Sequence, residues 1–146
     1  MTYSSTRRAT LAAVALFSAF AFAGCMMSMP VPEDLDLSTT RTGEHGIYQA
    51  TIQPEASQIP INQIHSWTVQ LKDAAGHPVD AARIEVDGDM PQHLHGLPTR
   101  PQITEALGDG RYRVEGLKFH MRGWWTVSFK VHAAPGDDEV TFNLML

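Results

Sequence analysis

The sequence predicts an all-β fold, an immunoglobulin-like two-sheet sandwich of about seven strands preceded by a signal peptide and a flexible tether. Three observations carry this. From Gly46 onward apolar residues recur at every second position, the period of a half-buried strand. Turn chemistry divides the runs, at Asp73-Ala74-Ala75-Gly76, Gly108-Asp109-Gly110 and Pro135-Gly136-Asp137-Asp138. The charged leader and the Pro-rich stretch before Gly46 show no such period.

The first element is residues 1–24. Arg7 and Arg8 form a positive start, and Ala9 to Gly24 is an apolar run of 16 residues without a charge. A spanning helix needs about 20 apolar residues, so this length suits a secretory leader instead. The run ends in Phe22-Ala23-Gly24-Cys25, which resembles a bacterial lipobox, with Phe22 in place of the usual Leu. Cys25 is then the lipidation site and the mature N-terminus. Ordinary cleavage leaving a free thiol, or an uncleaved anchor, are the alternatives. A lone cysteine excludes an intrachain disulfide framework and any Cys-rich metal cluster.

Removing the leader changes the charge. Of 11 Lys and Arg, Arg7 and Arg8 leave with it, while all 16 Asp and Glu lie from Glu33 onward, so the net charge moves from −5 to −7. Such a balance argues against a nucleic-acid partner and gives no net attraction to anionic headgroups, so the lipid has to supply the anchoring. Residues 25–44 hold prolines, Ser/Thr and acids without a period, and read as the lipidated cysteine and its tether. Met26, Met27 and Met29 fall in this linker, where nothing fixes their geometry.

Residues 45–146 form the domain. Trp67, Val69 and Leu71 share one face of a strand over 62–72. Ile84 and Val86 do so over 82–87, Trp125, Val127, Phe129 and Val131 over 124–133, and Val140, Phe142, Leu144 and Leu146 in the last run. Shorter runs at 47–53, 102–106 and 111–115 complete the set. If each strand crosses the sandwich once, the connections 54–61, 88–101 and 116–123 share one end, together with His65. His77 lies at the other end, with His45 and His132 nearby.

That shared end collects the chemistry. The irregular stretch Asp87 to Pro98 contains Met90, His93 and His95, and the stretch Gly116 to Trp124 contains His120 and Met121. In an extended segment His93 and His95 point to one side about 7 Å apart, which lets two imidazoles converge on one ion. Thioether sulfur from Met90 or Met121 makes the set soft and favours copper, especially Cu(I). The bland reading puts Met90 and Met121 in the core and makes His120 and His65 structural. Asp87 and Asp89 are either second carboxylate partners of an imidazole or solvated turn acids. Trp124 and Trp125 are adjacent, so alternation sends Trp124 outward, as a partner contact or a lid. No nucleophile triad or phosphate loop is present in the sequence, and the expectation is a binding protein rather than an enzyme.

Asp89-Met90-Pro91 with His93-Leu94-His95-Gly96, then Gly110 to Val114, then Phe119-His120-Met121-Arg122-Gly123-Trp124-Trp125, resembles the YtkA-like domain family, which is related to FixH-type proteins of oxidase assembly. The resemblance runs over about residues 44–146 and includes Gly46-Ile47-Tyr48 and the Trp67 strand. It implies an exported, membrane-tethered sandwich with a link to copper or to oxidase maturation, and a membrane-protein or copper-protein partner. By position Met90, His93, His95 and Met121 match the family's Met-Pro, His-x-His and Met-x-Gly-Trp residues. Arg122 in place of a common Pro, and a leader in place of FixH's membrane helix, depart from the pattern.

Overall fold

A computed structural model describes residues 30–146. The leader and Cys25 lie outside the described residues. The strands are β1 (Thr40–Thr42), β2 (Tyr48–Pro54), β3 (His65–Asp73), β4 (Arg83–Met90), β5 (His95–Gly96), β6 (Gln102–Gly108), β7 (Arg111–Leu117), β8 (Trp124–Ala133) and β9 (Gly136–Met145). They form two sheets, β1-β2-β3-β7-β6 and β5-β4-β8-β9. All strand pairs are antiparallel. The seven long strands are those read from the period of two, and the short β1 and β5 are additional. Among the described residues no helix is long and apolar enough to cross a membrane.

The alternating positions make the core. Trp67, Val69 and Leu71 from β3 meet Trp125, Val127, Phe129 and Val131 from β8 and Val140 and Phe142 from β9, all buried. Phe129 and Phe142 pack edge to face with ring centroids 5.8 Å apart. The β7–β8 side of the layer is closed by Phe119, whose ring lies 6.0 Å from Trp67 and 5.3 Å from Trp125.

Two boundaries differ from the sequence reading. Asp87 to Met90 belong to β4 rather than to an irregular loop. The inward alternation of Ile84 and Val86 continues through Gly88 to Met90, but Gly88 has no side chain to mark it. A Cβ there would stand 2.9 Å from the Leu97 side chain, which fills the gap instead. The second difference is the tether. From Asp36 onward it is part of the domain. Thr40–Thr42 pair with β2, the Asp36 carboxylate binds Arg41 at 3.0 Å, and Asn143 donates its side-chain amide to the Asp36 carbonyl at 3.2 Å. The polar composition hid a strand made of Thr-Arg-Thr, whose hydrogen bonds run through the backbone.

The sandwich has two unlike ends. At one, the Asp138 carboxylate is buried and accepts N–H groups from His45, Ile47 and Glu139, each at 2.9 Å, and from Tyr48 at 3.3 Å. This clamps the β1–β2 connection onto β9 and so joins the two sheets. Burial pushes the Asp138 carboxyl up, but these four donors more than offset it and hold it below its ordinary value. Nearby, the Tyr112 hydroxyl donates to the Val79 carbonyl at 2.6 Å and accepts from the Ala82 N–H at 3.1 Å. The other end carries the loops 55–64, 91–94 with β5, and 118–123.

Candidate functional site

The topology places His65, His93, His95 and His120 at this second end, and His45, His77 and His132 at the Asp138 end. The loop after β4 is not extended. The Met90 carbonyl accepts N–H groups from His93 at 2.9 Å and Leu94 at 3.0 Å, and Leu94 takes a left-handed backbone at φ 53°. This turn, rather than strand alternation, brings the two imidazoles together, stacked 5.7 Å apart between ring centroids.

His95 is the centre of the group. In the β4–β5 pair it stands directly opposite Met90, so both side chains lie on the inner face of the sheet. Its ring is 4.7 Å from that of His120 and 5.8 Å from that of Trp125. His120 in turn meets Trp125 edge to face at 5.4 Å. Trp125 is fully buried, and its indole N–H donates to the Met121 carbonyl at 3.0 Å, which fixes it as a floor under both imidazoles. The Nδ1 atom of His95 is buried and has no hydrogen-bond partner among the described residues.

The remaining sequence-selected residues are distributed as follows. Met90 is a core residue, 1% exposed. The space beside its methyl is kept by Gly123, where a Cβ would stand 2.5 Å from Met90 Cε. Met121 is half-buried and packs against the core. Among the described residues no three His, Cys, Asp or Glu side chains stand as a ready metal-holding group. Asp87 and Asp89 alternate to the outer face, away from His95. Asp87, within β4, accepts the Gly88 N–H at 2.8 Å.

Trp124 requires a correction. Alternation does send it to the outer face, but it is only 8% exposed and its indole N–H donates to Asn143 Oδ1 at 3.1 Å. The same Asn143 holds Asp36, so the segment expected to be a free tether runs beside Trp124, and the indole is not an exposed contact. His120 is the residue undervalued by the sequence. The alternation of connections already put its loop beside His93 and His95, and that signal could have found it. His65 packs in a tilted arrangement against Phe119 at 5.5 Å and Trp67 at 6.1 Å between ring centroids.

The YtkA-like family matches residues 47–130. The chain belongs to the YtkA-like family. The match runs from the start of β2 into β8 and so includes Met90, His93, His95, His120 and Met121. Membership points to an envelope-associated protein. No curated protein matches the chain. Among solved structures, the ZirS C-terminal domain is similar at 15% identity and a TM-score of 0.38, over 95% of this chain and 97% of that one.

Proposed function

We propose that this YtkA-like chain is an exported, lipid-anchored envelope protein that binds copper at the His95 end of its sandwich and performs no catalysis of its own. Its role is that of a carrier, a scavenger or an oxidase-assembly factor. The observation that supports this best is the buried Nδ1 of His95, unpartnered among the described residues, with the His93 ring stacked on its own and the His120 ring tilted against it. A buried acceptor or donor without a partner is costly, and an ion taken up there relieves that cost. The donor types fit copper, since imidazole suits either valence and thioether sulfur favours Cu(I).

In this reading the side chains have different parts. His95 is held on its floor by Trp125 and directed inward by its pairing with Met90. His120 is its nearest imidazole. His93 is exposed while stacked on His95, a placement that suits capture and release of a cargo ion. The Met121 thioether is the half-buried sulfur of this end, whereas Met90 reaches an ion only if the Gly123 side of the core loosens.

The test is a titration of the full chain in detergent with Cu(I) and with Cu(II) against a competing chelator. One copper per chain is expected. His95→Ala and His120→Ala should weaken binding by at least about tenfold, the lower end for losing even a supporting group at a metal site. Binding that is absent, or unchanged in both variants, would refute the copper reading and leave a metal-free docking module.

A further inference from the structure

The chain enters the domain at the His95 end. β1 runs antiparallel to β2, with Thr40 opposite Thr51 and Thr42 opposite Gln49, so going backwards from Thr42 the chain moves towards Pro54 and the β2–β3 loop. The Ile52 N–H donates to the Thr39 carbonyl at 2.9 Å. Asp36 is held by Asn143 near the C-terminal end of β9, whose Met145 pairs with Trp124.

Length turns this direction into an orientation. Eleven Cα–Cα steps separate Cys25 from Asp36, a reach of at most about 38 Å. The domain is itself about 33 Å long along the 10-residue strands β8 and β9. Presenting the Asp138 end to the membrane would use nearly the whole reach in running back along the domain. Presenting the His95 end uses almost none.

The surface chemistry agrees. Leu94 is 83% exposed at the tip of the His93–His95 turn, and Ile64 is 68% exposed in the neighbouring loop. A bulky residue held at φ 53° with its apolar side chain in water is a strained and unsatisfied arrangement. The loops at this end carry Lys118 and Arg122 with one acid, Glu55, paired with Arg113 at 2.7 Å, while Asp89 stands near the end of β4 beside them and Asp36 is paired with Arg41 at 3.0 Å. Glu33 and Asp34 sit on the entering strap, outside these loops. The opposite end gathers Glu44, Asp73, Asp80, Asp109, Asp137 and Asp138. Apart from Asp89 and the strap, the loop tips of the His95 end therefore present cations and apolar side chains to a lipid surface.

We propose that the His95 end is the membrane-facing surface of the protein, with Leu94 and Ile64 seated in the headgroup layer of the bilayer that holds the anchor. This rests on the anchor reading of Cys25. It puts His93, His95 and His120 at the membrane plane rather than at the outward pole, so a cargo ion is exchanged beside the lipid surface.

The test uses the full chain with Cys25 retained and one added thiol, at Leu94→Cys, Ile64→Cys or, on the opposite end, Ala75→Cys. Each thiol carries a fluorophore, and the protein is reconstituted in vesicles of phosphatidylcholine and phosphatidylglycerol containing a headgroup-nitroxide lipid. Quenching at 94 and 64 should be several-fold stronger than at 75. Equal quenching at the two ends, or stronger quenching at 75, overturns the orientation. The anchor is read separately from the mass of the N-terminal peptide and from release by Cys25→Ser. An acylated chain with position 75 quenched ends the orientation alone, and an unacylated chain that leaves the membrane ends both.

Discussion

Replacing His95 by Phe separates stability from binding. Phenyl is a slightly larger planar aromatic ring, so contacts with His93, His120 and Trp125, now at centroid distances of 5.7, 4.7 and 5.8 Å, should largely be kept. Both ring nitrogens are lost, and of these Nδ1 is buried without a partner among the described residues. An unsatisfied buried polar atom costs about 1–3 kcal/mol, so the copper-free His95→Phe protein should be more stable than wild type by about 1 kcal/mol. Copper reverses the order. At a free copper concentration near 100 times Kd, binding to the native state alone adds about 2.7 kcal/mol to wild type and nothing to the variant. Urea unfolding followed by tryptophan fluorescence, with and without copper, measures both differences. A copper-free variant that is less stable by more than about 1 kcal/mol would refute the reasoning, because it would mean that the nitrogen already supports the fold.

Asp138→Asn should destabilise the domain by roughly 3–5 kcal/mol, since an amide can accept at only one of the two positions that now receive four N–H donors. Asp137→Asn on the exposed neighbour should change it by less than about 0.5 kcal/mol. The pH dependence follows from the same clamp. The folded Asp138 carboxyl titrates below its ordinary value of 3.8, so its contribution is present above that value and lost as pH falls through the lower folded one. Acid unfolding monitored by far-ultraviolet circular dichroism should show this component in wild type and not in Asp138→Asn. Gly110→Ala and Gly76→Ala form a matched pair, both at positive φ. A Cβ at Gly110 stands 2.3 Å from the Leu71 carbonyl oxygen, whereas one at Gly76 meets nothing within 4 Å. Gly76→Ala should cost about 1–2 kcal/mol of backbone strain, and Gly110→Ala should exceed it by at least about 1 kcal/mol in chemical denaturation. Tyr112→Phe removes a hydroxyl that joins Val79 to Ala82 and should lower stability by about 1–2 kcal/mol in the same assay.

The long strands were legible because each buries one face, and the alternation of Trp67, Val69 and Leu71 or of Val127, Phe129 and Val131 records that burial directly. The assignment of histidines to two ends followed from counting strands. Other features had no local signal. Met90 looked like part of a ligand loop because Gly88 interrupts the inward pattern and Leu97, nine residues later, supplies the missing side chain. Trp124 looked exposed because the residues beside it, Asn143 and Asp36, are distant in sequence. Asp138 read as a turn acid, and nothing near it announces that it closes a contact with residues 45–48, some 90 positions earlier. Sequence periodicity reports which face of an element is buried. It does not report what lies over the other face.

The distribution of unsatisfied polar atoms ties these points together. Among the described residues, the buried side-chain atoms without a partner are His65 Nε2, Trp67 Nε1, His95 Nδ1 and Thr99 Oγ1. The two histidines and Trp67 lie around the aromatic layer of Phe119 and Trp125 at the His95 end, and Thr99 follows in the strap that leaves β5. At the opposite end the buried polar groups are matched: Asp138 takes four N–H donors, Tyr48 donates its hydroxyl to the Gly136 carbonyl at 2.7 Å, and Tyr112 bridges two backbone groups. Random packing faults would be spread over both ends. Three of these four atoms, all but Thr99, lie at the His95 end, which agrees with the proposal that this end is where a ligand is taken up. The acidic pole is then the structural lock, and the proposed binding end is the one where the chain arrives and Leu94 stands exposed.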